Sequence, residues 1–172
     1  MKSKAIILFL IAVFILVFIN ACGAANTAET VTTTAQTVVE KSPEEIYFKE
    51  ITRISNALTN STGTYYQACD DFLNFDIDLT GHKKATEDFV LAVLVLSTAY
   101  EKLEPPENYR TVHNLLGTSL EHFGKGAGYL TQYIKAYGDD MNTYLEKAIP
   151  EIELAAKYLN EANEEIKNVN QY

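Results

Sequence analysis

Residues 42–72 read SPEEIYFKEITRISNALTNSTGTYYQACDDF, and their spacing decides the fold class. Ser42 followed by Pro43, with Glu45 three after the Ser, is a helix start: a hydroxyl to cap free amides, a proline in the first position, a carboxylate to close the box. Apolar or small residues then recur at Tyr47, Ile51, Ile54, Leu58, Ser61, Tyr65, Ala68 and Phe72. The steps alternate four and three, which puts all eight on one helical stripe. The run Asn60-Ser61-Thr62-Gly63-Thr64 is poor helix former material. Because the stripe keeps its phase across that run, one long helix is predicted.

The same pattern repeats outward from this segment. A loop through Asp76–Thr80 leads to a second predicted helix from about Gly81 to Leu103, with Ala85, Phe89, Ala92, Leu96, Ala99 and Leu103 facing inward. Its centre, Leu91-Ala92-Val93-Leu94-Val95-Leu96, is apolar nearly all round, which marks either the most enclosed helix or one with a second, partner-facing side. Pro105-Pro106 ends it. A third helix carries Tyr109, Val112, Leu116, Leu120, Phe123, Ala127, Leu130, Ile134 and Tyr137, and Gly138 supplies a left-handed stop. Asp139 or Asp140 is expected to cap the fourth, whose stripe is Met141, Leu145, Ala148, Ile152, Ala155, Leu159, Ala162, Ile166 and Val169. Pro150 lies inside that helix and removes one backbone bond. On its outer side Lys147–Glu151 and Glu153–Lys157 stand four apart, as ion pairs on a solvated face do. No stretch alternates as a half-buried strand would. Residues 42–172 are therefore expected to form an all-α domain, an antiparallel up-down-up-down four-helix bundle.

The chain begins differently. Lys2 and Lys4 precede an unbroken apolar run from Ala5 to Ile19, followed by Asn20-Ala21-Cys22 and small residues. A basic start, a short apolar core and small residues at the cut make a secretory signal peptide over residues 1–21. As a helix the apolar run reaches about 22 Å, short of the roughly 30 Å hydrocarbon core of a bilayer. The cut region resembles the lipobox of bacterial lipoproteins, in which an aliphatic residue stands three before an invariant cysteine and a small residue directly precedes it. Ile19, Ala21 and Cys22 match; Asn20 is an uncommon occupant of the middle position. The resemblance implies transfer of diacylglycerol to the Cys22 thiol, cleavage before it, and an extracytoplasmic domain held to a membrane by N-terminal lipid. Residues 22–41, rich in Thr and Ala and without period, read as a flexible linker behind the lipidated Cys22.

The net charge is −9 and becomes two units more negative once Lys2 and Lys4 leave with the signal peptide. Such a balance opposes nucleic acid, whose binding rests on neutralising phosphate, and opposes lying flat on anionic lipid.

Few residue patterns in the sequence point to chemistry. Di-iron bundles use Glu-x-x-His, but Leu79, Arg110 and Ser119 stand three before His82, His113 and His122. There is no His-x-x-x-His and no Cys-x-x-Cys, so neither a metal nor a cofactor is expected. His113 and His122 lie two and a half turns apart on roughly opposite sides of one helix and cannot share an ion. His82, at the start of the second helix, reads as a surface residue. Cys69, beside Tyr65, Ala68 and Phe72, reads as a small buried hydrophobe rather than a reactive thiol. No nucleophile elbow and no coherent Ser–His–Asp or Cys–His setting is apparent.

Two features of the third helix stand out. Gly117, Gly124 and Gly128, spaced seven and four, suggest a smooth flank for a close neighbour or room for a ligand. Tyr129, Tyr133 and Tyr137 form a row at its end, with Tyr144 just beyond the turn; tyrosine suits pocket rims and partner faces. In layout the chain resembles small helical-bundle lipoproteins of prokaryotic envelopes, a resemblance that implies no activity. The expectation is a non-enzymatic, lipid-anchored bundle that binds an envelope protein or other component through the tyrosine row or the outer face of helix two. The alternative is a small-ligand receptor with a pocket near Gly124 and Gly128.

Overall fold

The computed structural model describes residues 42–169. The signal peptide expected over 1–21, the linker expected over 22–41 and the expected lipidation of Cys22 lie outside the described residues. Among the described residues there are four α-helices and no strand: α1 Pro43–Leu73, α2 Leu79–Tyr100, α3 Arg110–Lys135 and α4 Asp139–Val169, with a 3-10 turn at Glu107–Tyr109 leading into α3. The Ser42 capping box closes as the spacing predicts. The Ser42 hydroxyl accepts from the Glu45 amide (3.2 Å), and the Glu45 carboxylate accepts from the Ser42 amide (3.3 Å). Helix α1 runs unbroken through Asn60–Thr64.

Cross-helix pairs fix the arrangement as antiparallel. Between α1 and α2, Tyr65 meets Phe89 and Cys69 meets His82. Between α2 and α3, Tyr100 meets His113 and His82 meets Tyr133. Ser119 of α3 reaches the Ala155 carbonyl of α4, and His122 reaches Glu151. In every case one number rises as the other falls. Ser55 of α1 then bonds Asn163 of α4, which closes the ring of four. Ile51, Ile54, Leu58, Val93, Val112, Leu116, Phe123, Leu130, Ile152 and Leu159 are fully buried at the centre. Each such side chain contributes about 1.5–3 kcal/mol of transfer free energy.

The seams of α1 and α4 fall almost where the sequence places them. In α1, Thr62 rather than Ser61 is the buried member. In α4 the helix starts at Asp139, so Asp139 and Asp140 are first-turn acids, and Gly138 before them adopts φ 63°. The helix continues through Pro150. The expected surface pairs rearrange: Glu151 turns to His122, and Lys157 pairs with Glu161 at 3.8 Å.

Helix α2 departs most. Its buried stripe is His82, Thr86, Phe89, Val93 and Leu96, so Ala85, Ala92 and Ala99 stand at the boundary and not at the centre. A segment apolar all round offers no polar face to set its rotation, and packing then puts Phe89, Val93 and Leu96 inside together. Thr86 hides its hydroxyl by donating to the His82 carbonyl (2.8 Å). Leu91, Leu94 and Val95 are 59%, 56% and 58% exposed, so α2 is not the most enclosed helix.

The glycines of α3 also redistribute. A Cβ at Gly124 or Gly128 would meet nothing within 4 Å, whereas one at Gly126 would come within 2.8 Å of Ile152. Two residues turn a helix by 200°, so Gly126 points inward when Gly124 and Gly128 point out. Gly117 is the other close approach, with the Tyr100 hydroxyl lying against its α-carbon.

Candidate functional site

The densest polar constellation is internal. The α1–α2 turn ends with Asp78, whose carboxylate accepts from the Gly81 amide (2.8 Å) and so starts α2. That start points His82 into the bundle, where it is 2% exposed, not on the surface. Its ring stacks on Phe72 of α1 (4.7 Å between centroids, 19° between planes). Nδ1 lies 2.6 Å from the Tyr133 hydroxyl of α3, and Nε2 lies 3.5 Å from Cys69 Sγ of α1. A neutral imidazole donates from one nitrogen and accepts at the other. Either Nδ1–H donates to Tyr133 while the thiol donates to Nε2, or both bonds run the opposite way; each arrangement pairs both nitrogens.

The Cys69–His82–Tyr133 row thus has the connectivity of nucleophile, base and orienting group. The sequence gives no hint of it, because its members are 13 and 51 positions apart on three helices. Its electrostatics are those of a core, however. Burial pushes the His82 imidazole down to about 4 and the Cys69 thiol up to about 12. Burial, with Cys69 adding to it, raises Tyr133 to about 12, and burial drives Tyr65 well above the usual phenol range. At neutral pH all four are uncharged, so no thiolate–imidazolium pair forms. A catalytic cysteine needs the opposite arrangement, a partly exposed and electropositive setting.

The remaining histidines occupy separate places. His113 accepts or donates at Nδ1 with the Tyr47 hydroxyl (3.1 Å) and stacks on Tyr100 (4.5 Å). Tyr100 donates to the His113 carbonyl (2.8 Å), and burial lowers the His113 imidazole. His122 pairs with Glu151 (2.7 Å) and stacks on Tyr158. As expected from their spacing, His113 faces α1 and α2 while His122 faces α4. Among the described residues no three His, Cys, Asp or Glu side chains converge as a metal site would require.

The tyrosine row does not present one face. Tyr133 is buried in the His82 network, taking the inward place expected for Ile134, which is half-buried. Tyr137 lies past the end of α3 and is 84% exposed, with Lys83 Nζ 4.9 Å from its ring centre. Tyr129 is at the surface, and Tyr144 is half-buried on α4 beneath Lys147. The structure therefore separates Tyr133 from Tyr129, Tyr137 and Tyr144.

Two features mark the surface along α2. A hollow of about 280 Å³ opens between α1 and α2, floored by Tyr65 and Phe89 and edged by Asn60, Ser61, Thr64 and Asp88. Further along α2 lies the strip Leu91, Leu94 and Val95. Among the described residues no helix is long and apolar enough to cross a membrane. Comparison of the chain with protein-family models, curated proteins and solved structures finds no match.

Proposed function

We propose that the chain is a lipid-anchored, non-enzymatic bundle of a cell envelope that binds an envelope protein through the outer face of α2. The observation that carries the binding part is the exposure of Leu91, Leu94 and Val95, each more than half open to solvent. Their i, i+3, i+4 spacing gathers them into one patch. Glu87 and Asp88 precede it and Glu101 and Lys102 follow, all exposed. An apolar centre with a charged rim is how protein–protein contacts are built. The net charge of −9 favours a protein occupant over anionic lipid or nucleic acid. The anchoring part rests on Ile19-Asn20-Ala21-Cys22 and on the stable attachment that two acyl chains provide. The non-enzymatic part of the reading is supported by burial of Cys69 and His82, which holds both uncharged at neutral pH.

Intact-mass measurement of membrane-extracted protein tests the anchor: the native chain carries acyl mass, and Cys22→Ala does not. A native mass without acyl chains overturns it. A photo-crosslinker at Val95 tests the face, with one at Glu161 on α4 as the control. A single protein is expected to be captured from Val95 alone and lost with Leu94→Asp. Capture that survives Leu94→Asp overturns the assignment of the face.

A further inference from the structure

We propose that the partner seated on the outer face of α2 is a second copy of this chain, packed α2 against α2 in antiparallel order about a two-fold axis. This rests on that face being the binding surface and names its occupant.

The face is a helix-pairing seam along its whole length. Lys84, Glu87, Leu91, Leu94, Thr98 and Glu101 are all exposed. They follow one another in alternating steps of three and four, the spacing at which two helices lie side by side. His82, Phe89, Val93 and Leu96 point the other way, into the bundle. Helix α2 therefore carries two seams on opposite sides, one filled by its own bundle and one open. The Thr98 hydroxyl donates to the Leu94 carbonyl (3.0 Å), so a second helix can cover it without stranding a donor.

The order of charges along the open seam selects the occupant. A base, Lys84, stands at one end, an acid, Glu101, at the other, and Leu91 and Leu94 at the middle. A two-fold contact sets each residue i of one copy against j of the other, and j against i. With the axis midway between Leu91 and Leu94, Leu91 meets Leu94 of the other copy, Glu87 meets Thr98, and Lys84 meets Glu101, each of them twice. In parallel order the same seam would set Lys84 on Lys84, Glu87 on Glu87 and Glu101 on Glu101. Unlike charges face each other only in the antiparallel arrangement, which fixes the register as well as the partner.

Within one copy Lys84 already pairs with Asp88 at the surface. An ammonium has three donors, so it can keep that partner and take the Glu101 carboxylate of the other copy. Each chain carries a net charge of −9, but repulsion between exposed charges is screened beyond about 8 Å at physiological ionic strength. The apposed Lys84 and Glu101 act well inside that distance. One helix per side makes a small interface, at the weak end of specific contacts. Anchoring both copies to one membrane raises their local concentration and offsets that weakness. An axis normal to the membrane holds both Ser42 ends at one height, so neither copy has to invert.

The test uses the full chain in intact cells, with a photo-crosslinker at Val95 and the product identified by intact mass. A product of two copies of this chain is expected. Lys84→Glu and Glu101→Lys are each expected to lower its yield by about fivefold or more, since each sets like charges together at both ends. The double variant Lys84→Glu, Glu101→Lys restores both pairs and should return the yield to within about twofold of the native level. Both positions are exposed, so the variants should keep Tm within about 3 °C of the native chain, which separates loss of the contact from loss of the fold. Capture of a different protein from Val95 would overturn the second copy as occupant and leave the face as a binding surface. Single variants that crosslink as well as the native chain, or a double variant that does not recover, would overturn the antiparallel pair. No capture from Val95 at all would remove the face together with its occupant.

Discussion

Around His82 every buried polar atom has a partner, whereas along the α1–α4 seam two do not. In the first region Tyr133, His82 and Cys69 form a continuous row, and Thr86 returns its hydroxyl to the backbone. In the second, Ser55 donates to Asn163 (2.6 Å) and Asn163 donates to Thr59 (3.3 Å), but Thr52 Oγ1 and Thr62 Oγ1 are buried without a hydrogen bond. The packing differs in the same sense. Helices α3 and α4 pack most intimately and α1 and α4 least among the neighbouring pairs. A buried polar group is close to neutral when paired and costs about 1–3 kcal/mol when it is not. The same kind of substitution should therefore have opposite signs in the two regions.

The largest expected effect is at His82. His82→Ala removes a ring packed on Phe72 and leaves Tyr133 and Cys69 unpaired, which should cost about 3–4 kcal/mol in urea-unfolding free energy. A loss below about 1 kcal/mol would mean that the row holds nothing together.

Acid should reproduce much of this loss in the wild type. In the unfolded chain His82 titrates near 6.5, but in the fold it titrates near 4. Between those values the unfolded chain takes up a proton that the folded chain refuses. Stability therefore falls as pH drops from 6.5 towards 4, by about 3 kcal/mol, and this contribution levels off below. Burial of Asp70 and Glu153 raises their carboxyls and acts in the opposite direction. The difference between wild type and His82→Gln isolates the histidine. An unfolding free-energy difference that stays constant from pH 7 to pH 4 would contradict the burial of the ring.

Tyr133→Phe is a narrower cut. It keeps the ring and removes the atom 2.6 Å from Nδ1, leaving the imidazole with one partner, at about 2 kcal/mol. The smallest effect carries the opposite sign. Thr62→Val replaces an unpaired buried hydroxyl with a methyl of the same shape and should raise stability by about 1 kcal/mol in thermal or urea unfolding. A destabilised Thr62→Val would place an unseen partner at that hydroxyl.

How far the sequence carried depended on the element. Helices α1, α3 and α4 declare their inner faces because polar residues interrupt the apolar ones at helical period. Helix α2 does not, since Phe89 to Leu96 is apolar on every side, and the expected stripe through Ala85 and Ala92 is rotated from the real one through Thr86 and Val93. The same ambiguity hid His82: at the first turn of a helix with an unset phase, a polar residue reads as surface. Its partners, Cys69 and Tyr133, are brought to it only by tertiary packing. For the glycines the spacing was legible but the direction was not, and Gly126, between the two that were singled out, is the one against Ile152. Of the candidate site residues, Tyr133 is in a network, Tyr129, Tyr137 and Tyr144 are dispersed, and Cys22 lies outside the described residues. The hollow between α1 and α2 was not legible in the sequence, because it depends on how the two helices pack.

The closeness of α3 to α4 and the looseness of α4 against α1 also bear on the order of events. The two tightest helices are joined by the shortest link, at Gly138, so their contacts close small loops and should form early. Helix α1 completes the ring last and should be the first to leave it. In native-state amide exchange, the centres of α3 and α4 should outlast the centre of α1; equal protection throughout would rule this out. With the chain anchored through Cys22 as proposed, mechanical tension enters the bundle at Ser42. The helix that bears the load is then the one that the rest of the bundle grips least.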